Sequence, residues 1–444
     1  MKKLLCALLA LGILFGITGC WDSNELDTLF FVTGVGLDAG GNTSGTSAGN
    51  TSGNTGSGTG GNTSGSTGGN TSGSTGSDTS GNTGGNMGGH TGEVDVSVQI
   101  AKIAGGSSGS STGTSSGSGG SSGESGSSSI LLEASGKSVL AAISSMRHES
   151  TRSLYLHHNQ MIVFGKDLAQ KGIKEHLDLF LRFEESRMET LVLVADGKAK
   201  DILSAELDQD KLSGVAVARM MKQYSTISTY LNVNMLTLVS KLLQKTTAPL
   251  IPIAEVQEEN KKKKLVISRM AVFKRDRMVG ELNWDEVTGY LWTMGQINEG
   301  ILEISTDKGT VSMNIIAASN TLTPVIQTDG RIGLLLNIDT VLDFEELNGF
   351  GDMKLEELHA MLTQEATKTI EQRVYTTFEK TKQLNADIYG FGGKFRIKYP
   401  KQWKSIEQRW DSLYPSLQLA LNVKAHIVGT GKTSLSLDME EKLK

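Results

Sequence analysis

The sequence predicts an α+β fold: three consecutive mixed α/β domains with antiparallel or mixed sheets flanked by helices, plus two disordered low-complexity loop inserts. Three observations carry this. Segments with the two-residue alternation of strands trade places along the chain with segments of helical period, the pattern of sheets covered by helices. The 444 residues include 53 glycines against 5 prolines, and most of the glycine is gathered in two polar stretches with almost nothing apolar to bury. Outside those stretches the composition is that of a globular protein long enough for two or three domains.

The chain opens on a leader. Lys2 and Lys3 precede an apolar core from Leu4 to Ile17, too short to span a bilayer as a mature helix, and small residues then lead to Cys20. This predicts a signal peptide over 1–19, cut between Gly19 and Cys20. The tetrapeptide Ile17-Thr18-Gly19-Cys20 resembles the bacterial lipobox. That resemblance implies that Cys20 carries S-diacylglycerol and an N-acyl chain, enough for stable anchoring on the outer face of the cell membrane. A plain secretory signal is the alternative. Cys6 leaves with the leader, so the mature chain can form no internal disulfide and no thiolate metal site. A formal net charge of -5 offers no broad basic field for nucleic acid.

In the N-terminal domain, 20–207, Thr28 to Leu37, Glu93 to Ala101 and Ser128 to Ala134 read as neighbouring strands of one sheet. The inserts, about 40–92 and 105–129, are the connections between them. The first repeats Asn-Thr-Ser-Gly and Asn-Thr-Gly-Gly; the second is Gly, Ser and Thr. Such loops are tolerable because each doubling of length costs only ~0.6 kcal/mol of closure entropy. A helix is expected over Lys137 to Met146, with Val139, Leu140 and Ile143 inward. A strand over Ser153 to Phe164 follows, then a helix capped by Asp167 and running to Phe183 with Leu168, Ile173, Leu177, Phe180 and Leu181 as its apolar face. Thr190 to Ala195 is a buried-type strand, and Gly197 to Leu203 starts another helix.

The middle domain, 208–300, begins with helical sequence whose candidate core face is Leu236, Leu238, Val239, Leu242 and Leu243. Leu265 to Phe273 and the following charged turn form a hairpin. The lysine run 261–264 reads as a solvated turn before it, with contact to anionic lipid as the alternative. The C-terminal domain, 301–444, has strands over Gly309 to Ala318 and Gly333 to Ile338, then a long helix over 354–383. Leu355, Leu358, Leu362, Ala366, Ile370, Val374 and Phe378 make one stripe on that helix, expected to pack on its own sheet. Trp403, Ile406 and Trp410 stand at helical spacing, and Leu417 to Ala425 alternate as a final strand.

No catalytic constellation is present in this pattern. His157 and His158, read as neighbours on a strand, would face opposite sides and could not share a metal. There is no Gly-x-Ser-x-Gly on a strand-to-helix turn and no phosphate loop. The expectation is a protein without enzyme activity, metal or cofactor, and no residue is singled out as ligand-binding.

The start Gly19-Cys20-Trp21-Asp22 with Glu25-Leu26, then Val35-Gly36-Leu37-Asp38, Val98-Gln99-Ile100 and Glu133 to Ser138, follow one another in a familiar order. So do Leu181-Arg182-Phe183, Ala271 to Lys274, Val279 to Leu282, Glu286-Val287-Thr288-Gly289-Tyr290-Leu291-Trp292, and Gly390-Phe391-Gly392 with Trp403 and Trp410. In these the chain resembles the C-subunit lipoproteins of bacterial spore germinant receptors, the Ger(x)C family. The inserts depart from the family pattern. The resemblance implies three α+β domains in a non-enzymatic subunit, lipid-anchored on the outer surface of the spore inner membrane, working with membrane A and B subunits to trigger germination by small nutrients. A solute-binding lipoprotein of a transporter is an alternative, but would show two similar lobes. A structural or adhesion lipoprotein is another, but its polar stalk would precede the first strand.

Overall fold

The computed structural model describes residues 28–41, 93–102, 129–207, 210–226, 231–260, 262–297, 299–350 and 353–428. The expected leader, Gly19, Cys20 and nearly all of both inserts lie outside them.

Among the described residues nine strands form one sheet. β1 (Leu29–Ala39), β2 (Val94–Ala101) and β3 (Ser129–Gly136) pair antiparallel, so the two insert-bearing connections join direct neighbours. β5 (Met161–Gly165) and β6 (Leu191–Ala195) then run parallel to β1, and the short β4 (Ser153–Tyr155) pairs with the start of β1. β7 (Leu250–Glu259) pairs parallel with β6, and β8 (Lys262–Lys274) and β9 (Arg277–Leu282) complete the order β3-β2-β1-β5-β6-β7-β8-β9. The three expected domains therefore rest on two sheets. The boundary at 207 does not interrupt the first sheet, because the helical stretch after it is a crossover that returns to β6.

Parallel strands with helices on both sides are apolar at every position. β5 and β6 obey this. Ile162, Phe164, Val192 and Val194 face α1 (Val139–Glu149), α2 (Lys166–Lys171) and α3 (Lys174–Arg182), whereas Met161, Val163, Leu193 and Ala195 face α4 (Ala199–Ser204) and α5 (Ser213–Thr226). Gly36 makes room for that second layer, since a Cβ there would stand 2.6 Å from Leu203 Cδ1. Asp38, at the end of β1, accepts from Ala199 N at 2.8 Å and Lys200 N at 3.1 Å and so holds the start of α4.

Several expectations are corrected here. The helix expected from Asp167 to Phe183 is two, broken at Gly172, whose φ of +133° no helix accepts; Gly165 rather than Asp167 caps the first. Leu140, Leu181, Leu236 and Leu243 are exposed by 53%, 39%, 61% and 79%. On α6 (Met235–Leu242) it is Met235 and Leu238 that go inward, because the Asn234 capping box sets the phase of the helix. The stretch 153–164 contains a 3-10 turn, Leu156–His158, so the two histidines are not on a strand. In the β7–β8 hairpin Lys262 and Lys263 stand opposite Glu259 and Glu258, with Asn260 turning at φ 54°, so two of the four lysines of the run face a carboxylate across the strands.

The second sheet has the order β10-β11-β12-β13: Ile301–Ser305, Gly309–Ile326, Ile332–Gly349 and Gln418–Ile427. α8 (Leu355–Gln383) lies along it with Leu358, Leu362, Ala366, Ile370, Val374 and Phe378 at most 1% exposed, whereas Leu355, at the helix start, is 44% exposed. Each of the larger buried side chains contributes roughly 1.5–3 kcal/mol relative to exposure.

Candidate functional site

The motif residues of the middle and C-terminal parts converge where the two sheets meet. α7 (Trp284–Met294) begins with a reciprocal cap: Glu286 N donates to Asn283 Oδ1 at 3.0 Å and Asn283 N donates to Glu286 Oε2 at 2.7 Å. The same carboxylate accepts from Lys380 Nζ of α8 at 2.7 Å, and Thr377 Oγ1 donates to Glu286 O at 2.8 Å. These bonds need the helices in backbone contact. Gly289 permits it, since a Cβ there would collide with Arg373 O and Thr377 Oγ1.

One step along α7, Tyr290 stacks on Tyr389 at 5.4 Å, Tyr389 stacks on Phe391 at 4.5 Å, and Phe391 lies 6.3 Å from Phe378. Under this stack sits Asp387. Its Oδ1 accepts from Phe391 N and its Oδ2 from Gly392 N, both at 3.0 Å, which starts α9 (Phe391–Lys398). Its carbonyl accepts from Ala248 N at 2.8 Å, just ahead of β7, so one residue ties the C-terminal part to the first sheet. Burial pushes the Asp387 carboxyl up to about 7, against the pull of the backbone donors of Gly392 and Phe391. Trp403 of α10 (Pro400–Glu407) and Trp410 of α11 (Trp410–Leu413) close the far side, 5.5 Å apart.

Beside this knot a cleft of about 740 Å³ opens between α3 and α6 on one side and Asn385, Asp387, Trp410 and Tyr414 on the other. Weak ion pairs bridge it, Lys274 with Asp411 at 3.5 Å and Lys245 with Glu407 at 3.9 Å. A second knot lies within the first sheet. Gln99, 1% exposed, accepts from Thr33 Oγ1 at 2.9 Å and Gly214 N at 3.2 Å and donates to Leu203 O at 2.7 Å and Ser213 Oγ at 3.0 Å, joining β1, β2, α4 and α5.

The sequence pointed to Glu286, Gly289, Gly392 and Gln99 only through the family resemblance, and it did not single out Asp387. An aspartate three residues before a Gly-Phe-Gly turn is a helix-start signal that could have found it. His157 and His158 are consecutive in the 3-10 turn: His157 stacks on Tyr155 at 4.6 Å and its Nδ1 is 3.8 Å from Glu185 Oε2. Among the described residues no group of three or more His, Cys, Asp and Glu could hold a metal, and no helix is long and apolar enough to cross a membrane. Cys20 and Gly19 are outside the described residues.

Residues 86–256 match the spore germination protein N-terminal domain, and residues 268–431 match the spore germination B3/GerAC-like C-terminal domain. The chain belongs to the Ger(x)C family of spore germination proteins. Among its relatives, it is 21% identical over 292 residues to the putative spore germination protein YfkR of Bacillus subtilis (strain 168), covering 64% of this chain and 75% of that one. It is 25% identical over 305 residues to spore germination protein A3 of the same organism, covering 66% and 79%. Among solved structures it is similar to the crystal structure of the GerBC protein at 17% identity and a TM-score of 0.49, covering 77% of this chain and 95% of that chain. The knot at Asp387 and the knot at Gln99 thus fall one in each of the two family domains.

Proposed function

We propose that the chain is a lipid-anchored, non-enzymatic subunit of a nutrient germinant receptor, held through Cys20 on the outer face of the spore inner membrane beside membrane A and B subunits. The observation that carries this is the presence, in order on one chain, of the leader ending Ile17-Thr18-Gly19-Cys20 and both spore germination domains. A diacylglyceryl thioether with an added N-acyl chain meets the two-chain requirement for stable anchoring. Both carboxyl oxygens of Asp387 accept from backbone N–H groups that start a helix, a structural use of the acid that supports a scaffolding role.

Growth with a labelled fatty acid tests the anchor. The wild-type chain should carry the label, Cys20→Ala should not, and spores of the variant should respond poorly to germinants; label retained on Cys20→Ala removes the anchor. Co-purification from spore membranes tests the partners, and failure to recover the A and B subunits under mild detergent would remove that part.

A further inference from the structure

The start of β1, where it pairs with β4, carries an aromatic cluster that the fold leaves partly exposed. Phe30 and Phe31 are consecutive residues of a strand and so point to opposite faces, yet both are only partly buried. Phe31 meets Tyr155 at 5.8 Å and His158 at 5.3 Å, while Arg152 lies over Phe30 at 5.4 Å. Tyr155 is itself partly exposed and His158 exposed. The cluster therefore rings the end of the strand instead of lining one face. A protein docking side-on would use one face; a planar medium meeting the strand end-on would use both.

The chain's own connectivity says what lies there. Only the stretch from Cys20 to Leu29 separates the acylated residue from this strand. At about 3.3 Å per residue it reaches roughly 30 Å when fully extended and much less when coiled. Rings of Phe and Tyr beside imidazole and guanidinium groups are the side chains that settle at the headgroup level of a bilayer, apolar body inward and polar tip wet. Arg147 and Arg152 are accompanied at this end by Glu149 and Glu185, so the attraction is interfacial and not a matter of net charge.

We infer that Phe30, Phe31, Arg152, Tyr155 and His158 form a membrane-contact surface that sets the first sheet end-on to the bilayer, with β1 rising away from it. The inference rests on the anchor proposed at Cys20. The opposite end of the same strands, where Asp38, Asp95 and Ser135 stand side by side in register, then points away, about 30 Å higher for nine residue steps along a strand.

The test uses the full lipidated chain in vesicles of phosphatidylethanolamine and phosphatidylglycerol that carry a nickel chelate on a fraction of the headgroups. Acylation blocks Cys20, so Thr151→Cys and Lys137→Cys, both at exposed positions, each take a single nitroxide. Mass measurement of the N-terminal peptide first establishes that the lipid is present, which separates failure of the anchor from failure of the orientation. Relaxation of the nitroxide by bilayer-held nickel should be several-fold stronger at Thr151→Cys than at Lys137→Cys. Equal or reversed values on acylated protein overturn the inference. If the Thr151→Cys label were shielded only in native spore membranes and not in pure lipid, the cluster would face a protein subunit and the bilayer assignment would fall.

Discussion

Tyr290 and Tyr389 stack with their ring centroids 5.4 Å apart and their planes 22° from parallel. One sits on the helix that follows the last strand of the first sheet, and the other follows the long helix of the second. The stack joins the helix after the first sheet to the chain after the long helix of the second sheet, so the two sheets share one aromatic core.

Gly289→Val should destabilise this joint. The added side chain drives α7 off Arg373 and Thr377, and overpacking of this kind costs about 1–3 kcal/mol. The thermal midpoint should fall; an unchanged midpoint would mean that the helices are not in backbone contact.

Asp387 should make stability fall with rising pH. Its carboxyl is shifted from an ordinary 3.8 up to about 7 by burial, so the folded chain keeps a proton that the unfolded chain releases. The neutral form's contribution is complete below 3.8 and is lost as pH climbs through about 7. Asp387→Asn removes the titration. The midpoint of wild type relative to this variant should therefore drop between about pH 4 and pH 7, and parallel curves would contradict it.

Asp196 should have the opposite sign. Lys166, at 2.8 Å, and Arg269 hold its carboxyl below the usual range. Its contribution is present above 3.8 and lost as pH falls through the depressed value. Asp196→Asn, compared with wild type over acid pH, should close the gap on acidification; a gap that widened would refute the assignment.

Gln99→Leu should cost more than its change in size suggests. It strips Gly214 N of its buried acceptor, at about 1–3 kcal/mol for a group left unpaired, and leaves Leu203 O with the longer bond from Ser213 Oγ at 3.4 Å. A denaturant midpoint lowered without change of slope is expected.

Replacing 41–92 by Asn-Gly, and separately 102–128 by Asn-Gly, should leave the first sheet intact. Gly40 N already donates to Glu93 O at 2.8 Å, and Ala101 pairs with Ser129, so each junction is a hairpin end awaiting a two-residue turn. A loss of cooperative unfolding in either variant would show that an insert is part of the fold.

The local patterns of strand and helix were legible because periodicity survives without context: the stripe Leu358 to Phe378 and the apolar positions Val94, Val96, Val98 and Ile100 of β2 are buried where the pattern put them, although Ser97 and Gln99 of the polar face are buried too. Their association was not. Val194 meets Ile253 and Ala195 meets Ala254 across the whole excursion of α4, α5 and α6, and nothing local in either strand encodes that pairing. Helix phases erred where a cap outweighed the count of leucines, as at Asn234. The tip lysines were legible as solvated, although their pairing with glutamates needed the register. Asp387 was hidden because a buried acid looks like a surface one until its neighbours are known.

The two inserts leave the first sheet at opposite ends of β2, one beyond Val94 and one beyond Ala101. Neither lies between strands that must find each other from afar, so in each case the pairing partners are neighbours in sequence once the insert is ignored. Repeat number can then drift almost freely, since closing a loop twice as long costs only ~0.6 kcal/mol. Gains and losses of Asn-Thr-Ser-Gly units would be nearly invisible to folding, and lineages could differ by tens of residues around an unchanged sheet. Chain length in this protein is thus a poor measure of domain size.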